Sequence, residues 1–128
     1  ARMAEENTAH ELAPGVWVVR FVEGKLAGAD CAHLLPPLLE SVKQRPIALL
    51  AALPPGTAII PATLAPFWLN AVLLKGLKVR AIGVVNANRA LRVAMLGFQA
   101  ALKLRGSDIQ VNTLPTEAEL VAWATALP

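Results

Sequence analysis

Cys31 and His33 are the side chains of this sequence best suited to nucleophilic or metal chemistry, and their spacing keeps them apart. On a helix, residues two apart point in different directions, so this thiol and imidazole do not make a nucleophile–base pair. A zinc site would need two more nitrogen or sulfur donors, and His10 is the one that remains. Gly24, Gly28 and the run Asn86-Ala87-Asn88 lack the glycine spacing of a phosphate or dinucleotide loop. The nine acidic residues all lie in 1–40 or 108–128, which leaves no paired carboxylates in the middle for acid–base work. The residues therefore point away from an enzyme, and they imply neither cofactor nor metal.

Charge and hydropathy say more. The segment 41–107 holds nine Lys and Arg and no acid, against a net charge of +3 for the whole chain. Gathered on one face, those cations would attract acidic protein, phospholipid or nucleic acid; folded back against the acidic ends, they would be ordinary solvation. Hydrophobic residues make up 55% of the 128 and charged residues 16%, below the usual charged share of about 25%. That balance predicts apolar surface covered by a second copy, a partner or a nonpolar ligand. Residues 46–74 are uncharged and long enough to cross a bilayer. Prolines 54, 55, 61 and 66 cut them into pieces too short to do so, so no transmembrane segment is expected. The single cysteine excludes an internal disulfide and fits a reducing cytoplasm. Nucleic acid is disfavoured: there is no recognition helix and no Tyr, and the three Trp sit singly in apolar surroundings.

The elements follow from periodicity. Residues 1–7 are expected to be a disordered tail, with Ala1-Arg2 a cloning remnant, and 8–128 a single domain. His10–Leu12 suits a short edge strand, Ala13-Pro14-Gly15-Val16 a type II turn, and Val16–Glu23 a strand. A helix is predicted over Pro37–Gln44, after a kink at Pro36-Pro37. Ile47–Leu53 reads as a strand buried on both faces. Thr63 is placed to cap a helix running to Lys75, with Gly76 ending it. Val79–Val85 alternates as a strand, and Asn88 can cap a helix from Arg89 to Lys103. Ile109–Thr113 is a strand, and Thr116 with Glu119 opens a closing helix. This order predicts an α/β fold: a mostly parallel sheet of about five strands, an N-terminal antiparallel hairpin and four helices.

Four stretches carry a resemblance. They are Val18–Leu26 (VVRFVEGKL), Ile47–Leu53 (IALLAAL), Leu77–Val93 (LKVRAIGVVNANRALRV) and Ile109–Trp123 (IQVNTLPTEAELVAW). In them the chain resembles the STAS family, the sulfate transporter and anti-sigma factor antagonist domains, in its SpoIIAA-like branch. The resemblance implies a signalling module acting through a regulatory protein partner such as a kinase or anti-sigma factor, with self-association as a homo-oligomer. It also implies Thr63 as phosphoacceptor, with Pro61 and Ala62 standing where the family carries Asp-Ser. A second reading is a SpoIIAA-like binder of a nonpolar or lipid ligand. Phe67, Trp68, Leu73, Leu91, Met95 and Phe98 are then the surface for self-association or ligand, with Arg89 and Arg92 facing an anion.

Overall fold

A computed structural model describes residues 6–54, 56–57, 60–85 and 87–127. The β-branched and aliphatic runs become the middle of a sheet, where both faces are covered. The strands are β1 (Thr8–Ala13), β2 (Val16–Arg20), β3 (Ile47–Ala52), β4 (Val79–Val85) and β5 (Gln110–Leu114). The helices are α1 (Leu35–Ser41), α2 (Leu64–Leu74), α3 (Arg89–Leu104) and α4 (Glu117–Ala126), with a 3-10 segment, Gly28–Leu34, leading into α1. The sheet order is β1-β2-β3-β4-β5, with β1 antiparallel to β2 and every other pair parallel. This is the architecture predicted from the sequence.

Because the parallel strands are laid down in sequence order, three like-handed crossovers put their helices on one face. Val19, Ile47 and Leu49 of that face pack with Leu38 of α1, Ala71 of α2 and Leu102 of α3. The opposite face has α4 alone: Val16, Val18, Ala48, Leu50 and Ala81 pack on its Leu120 and Ala124. Its approach is close at Gly83, where an added Cβ would lie 2.8 Å from Leu120 Cδ2. A bulge makes Arg80 the extra residue of β4 against β3. Its guanidinium donates to the Ala124 carbonyl at 2.7 Å, closing the end of α4. At the other end Arg20 pairs with Glu117 at 2.8 Å, and its hydrogen bond holds the Glu117 carboxyl below the usual range. The pair is exposed, so it contributes under about 1 kcal/mol.

Several boundaries differ from the sequence reading, for local reasons. The start of the chain is anchored: Asn7 is buried, its amide donates to the carbonyls of Lys25 (2.7 Å) and Asp30 (3.2 Å), and its Oδ1 accepts the Val22 N–H at 2.7 Å. The expected tail of 1–7 therefore does not extend through Asn7; Ala1-Arg2 lies outside the described residues. Taking the Val22 N–H also draws the chain off the sheet, so β2 stops at Arg20 rather than Glu23. The edge strand runs Thr8–Ala13, longer than His10–Leu12. Gly15 has a φ of 74°, as the predicted turn requires. Pro36-Pro37 do not kink a helix. They occupy the first turn of α1, where a missing N–H costs nothing, so α1 spans 35–41 rather than 37–44. Trp17 Nε1 is the one buried side-chain polar atom without a partner among the described residues. The roughly 1–3 kcal/mol such a donor costs is offset by the large apolar area of its ring. No helix among the described residues is long and apolar enough to cross a membrane.

Candidate functional site

α2 and α3 lie side by side over β3 and β4, and the space between them is not filled. A cavity of about 120 Å3 remains, walled almost entirely by carbon. Helical spacing explains which side chains reach it. On α2, Leu64, Trp68 and Val72 recur every four residues and face inward; on α3, Leu91, Met95 and Phe98, spaced four and then three, also face inward. The floor comes from alternate strand residues of one sheet face: Val19 and Phe21 from β2 and the stretch after it, Leu49 and Ala51 from β3, Ile82 and Val84 from β4. Ile60 and Leu53 close the end near the start of both helices.

Four of the six apolar residues singled out from the sequence, Trp68, Leu91, Met95 and Phe98, line this cavity. Phe67 and Leu73 do not, because each sits one position, about 100° of helix, away from an inward residue. Phe67 turns toward the 3-10 segment instead, so close that a Cβ on Gly28 would lie 2.8 Å from its own Cβ. It meets Trp68 edge-on, with ring centroids 5.2 Å apart. The strand residues of the floor were not singled out; their signal was the strict alternation of β2 and β4, which marks one face but not what stands over it. The preceding helix leaves Val93 and Leu96 exposed at 64% and 65%.

The polar candidates surround this region without closing on it. Arg89 and Arg92 are exposed on the first turn of α3, and Arg92 Nε donates to the Ala87 carbonyl at 3.1 Å. Two cations at a helix N-terminus oppose the macrodipole, so they are not there to stabilise α3. Its cap is Asn88, whose Oδ1 accepts the Leu91 N–H at 2.8 Å; Asn86 lies outside the described residues. Thr63 precedes α2 but its side chain does not cap it. Its backbone is already helical, and Oγ1 accepts the N–H of Gly28 at 3.0 Å. The sequence also favours an extension beside the sheet over Ala58-Ile59-Ile60; Ala58 and Ile59 lie outside the described residues, and Ile60 is in no strand.

Cys31 and His33 are used separately. Cys31 is fully buried and its thiol donates to the Ala27 carbonyl at 3.7 Å, while His33 Nε2 lies 2.7 Å from the Asn7 carbonyl. Burial pushes the Cys31 thiol up to about 11, with the Asp30 charge adding to the rise and hydrogen bonds from Trp68 and Asn7 opposing it. A thiol held protonated is a poor nucleophile and a poor ligand. Among the described residues no three His, Cys, Asp or Glu stand close enough to hold a metal. A second hollow, about 460 Å3, lies by the β1–β2 turn and is lined by Glu11, Ser41, Gln44 and Arg45 among others. Its Glu11 is committed to the Gly15 N–H at 3.0 Å.

The chain matches no known protein-family model and no curated protein.

Proposed function

We propose that the protein is a non-catalytic binding module that takes a small nonpolar group between α2 and α3. The observation that supports this reading is the carbon-lined cavity of about 120 Å3. Its size selects the ligand. Drug-sized sites run to about 300–1,000 Å3, whereas an engineered apolar cavity of about 150 Å3 stays dry and binds benzene. The cavity therefore admits one ring or a few carbons of an alkyl chain, with any remaining part of the ligand outside. Arg89 and Arg92, free of acidic neighbours in sequence, suit an anionic end such as a carboxylate.

The test is titration of the chain with decanoate and with decanol, followed by tryptophan fluorescence in a Trp17→Phe/Trp123→Phe background that leaves Trp68, the tryptophan lining the cavity, as the reporter. Both ligands should bind, with decanoate favoured, and the preference should vanish in Arg89→Gln/Arg92→Gln. Ala94→Phe, which fills the space from the exposed rim, should abolish binding of both. Absence of binding to either compound, or undiminished binding by Ala94→Phe, would refute the reading.

A second reading, a STAS-like regulatory module that self-associates or docks on a protein partner, is favoured by a different observation. Val93 and Leu96 form an apolar ridge on the outer side of α3 that none of the described residues covers. On this reading Thr63 is the phosphoacceptor, and a phosphate on Oγ1 would displace the Gly28 N–H that now bonds to it.

A further inference from the structure

α2 and α3 both run against the parallel strands, so both finish at the sheet edge where β4 and β5 begin. Below that edge the packing is complete: Ala71, Leu77, Leu102 and Ile109 belong to one buried cluster. Above it, Leu74 and Leu104 are 78% and 88% exposed, the highest values among the large apolar side chains of the described residues. Their chain neighbours Lys75, Lys78, Lys103 and Arg105 are exposed as well.

The cations alone need no special account, since positive charge near a helix C-terminus is stabilising. The leucines do. A polar residue at either position would cost the fold nothing, because neither side chain is packed. Two protruding aliphatic groups flanked in the chain by four exposed cations make the two-part signal of a surface that partitions onto anionic lipid: apolar insertion plus electrostatic attraction. Asp108 is the acid near this end. Glu40 is paired with Lys43 at 2.8 Å, and Glu11 faces Arg45 across the hollow at the β1–β2 turn; those four residues stand beside α1 and are not counted in the patch.

We infer that the α2–α3 end is a docking surface for an anionic membrane, with Leu74 and Leu104 entering the headgroup boundary and the four cations lying over lipid phosphates. The inference is independent of what fills the cavity. A second copy is a poor occupant, since four cations would meet four. A protein partner is a poorer fit than lipid, because protein hot spots centre on aromatic or Arg anchors in desolvated pockets. This patch has no aromatic residue, its Arg105 is exposed rather than seated in a pocket, and a fluid interface needs no matching shape.

The experiment is cosedimentation of the full chain with vesicles of phosphatidylserine and phosphatidylcholine, beside vesicles of phosphatidylcholine alone. The chain should sediment with the anionic vesicles only, and less as salt rises. Lys75→Gln and Lys103→Gln should each lower partitioning about fivefold. Leu74→Ser/Leu104→Ser should lower it on the order of tenfold. Lys25→Gln, outside the patch, should leave it unchanged, and circular dichroism should show every variant folded. No sedimentation with anionic vesicles at low salt would overturn the inference. So would equal sedimentation with phosphatidylcholine alone, or variants of the patch that partition like the wild type. Binding to soluble polyglutamate that competes with vesicles and ignores the leucine substitutions would assign the surface to an acidic macromolecule instead.

Discussion

Several single side chains in this protein hold joints between elements. Asn7 ties the first strand to the loop after β2 through both ends of its amide, and Thr63 ties the 3-10 segment to α2 through one hydroxyl. Cys31 belongs to the first joint, within reach of the Asn7 amide. Its thiol is pushed up to about 11 from an ordinary value near 9, so folding favours the protonated form. The stability this represents is fully present below pH 9 and is lost as pH climbs from about 9 toward 11. Thermal or urea unfolding should show a decline on the order of 2 kcal/mol across that window, and Cys31→Ala should flatten it. The same burial predicts that iodoacetamide labels Cys31 at pH 8 only when denaturant is present. Rapid labelling of the native protein would contradict this account.

At the scale of elements, two glycines set how closely helices approach, and they differ in what they meet. At Gly28 an added Cβ would lie 2.8 Å from the Thr63 carbonyl as well as from Phe67 Cβ, both on or next to backbone. At Gly83 the obstruction is the tip of Leu120. Backbone cannot step aside without moving α2, whereas a leucine tip can rotate. Gly28→Ala should therefore cost more than Gly83→Ala, with both in the range of about 1–3 kcal/mol. Denaturant midpoints of the two variants decide this, and the reverse order would show that α2 yields more easily than α4. Gly28→Ala should also disturb the probe binding described above, because α2 forms one wall of the cavity. α3 is amphipathic in an unusual sense: one apolar side faces the cavity and a second, Val93 and Leu96, faces outward.

For the whole molecule, the asymmetry of the two sheet faces is decisive. Three crossover helices crowd one face and a single ten-residue helix serves the other. The crowded face carries the cavity, the outward ridge of α3 and the basic end with Leu74 and Leu104. The outward ridge predicts that the protein is a dimer or larger at micromolar concentration by light scattering, and that Val93→Glu/Leu96→Glu is a monomer. A clean monomer of the wild type would remove self-association from consideration. Glu11 of the acidic N-terminal part lines one hollow with Arg45 of the basic middle, whereas Glu40 with Lys43 is a local pair three residues apart. None of the four cations at the α2–α3 end is in an ion pair among the described residues, and Asp108 is the acid nearest to them in sequence.

Much of this was legible in the residues themselves. Alternation in Val16–Arg20 and Val79–Val85, the apolar run Ile47–Ala52, the caps at Asn88 and Thr116 and the order of elements determine a mostly parallel sheet, because period and turn chemistry act over a few residues. The placement of Trp68, Leu91, Met95 and Phe98 was legible only as apolar character. A helix apolar on nearly every side does not say which side is core, which is cavity and which is surface. That distinction depends on the distance between α2 and α3 and on the close approaches at Gly28 and Gly83, which are set by partners far away in sequence. The anchoring of Asn7 was hidden for the same reason: a polar residue in a polar segment reads as solvent-facing until the carbonyls of Lys25 and Asp30 come within hydrogen-bonding reach. Local periodicity determined the elements, and long-range packing decided where they leave room.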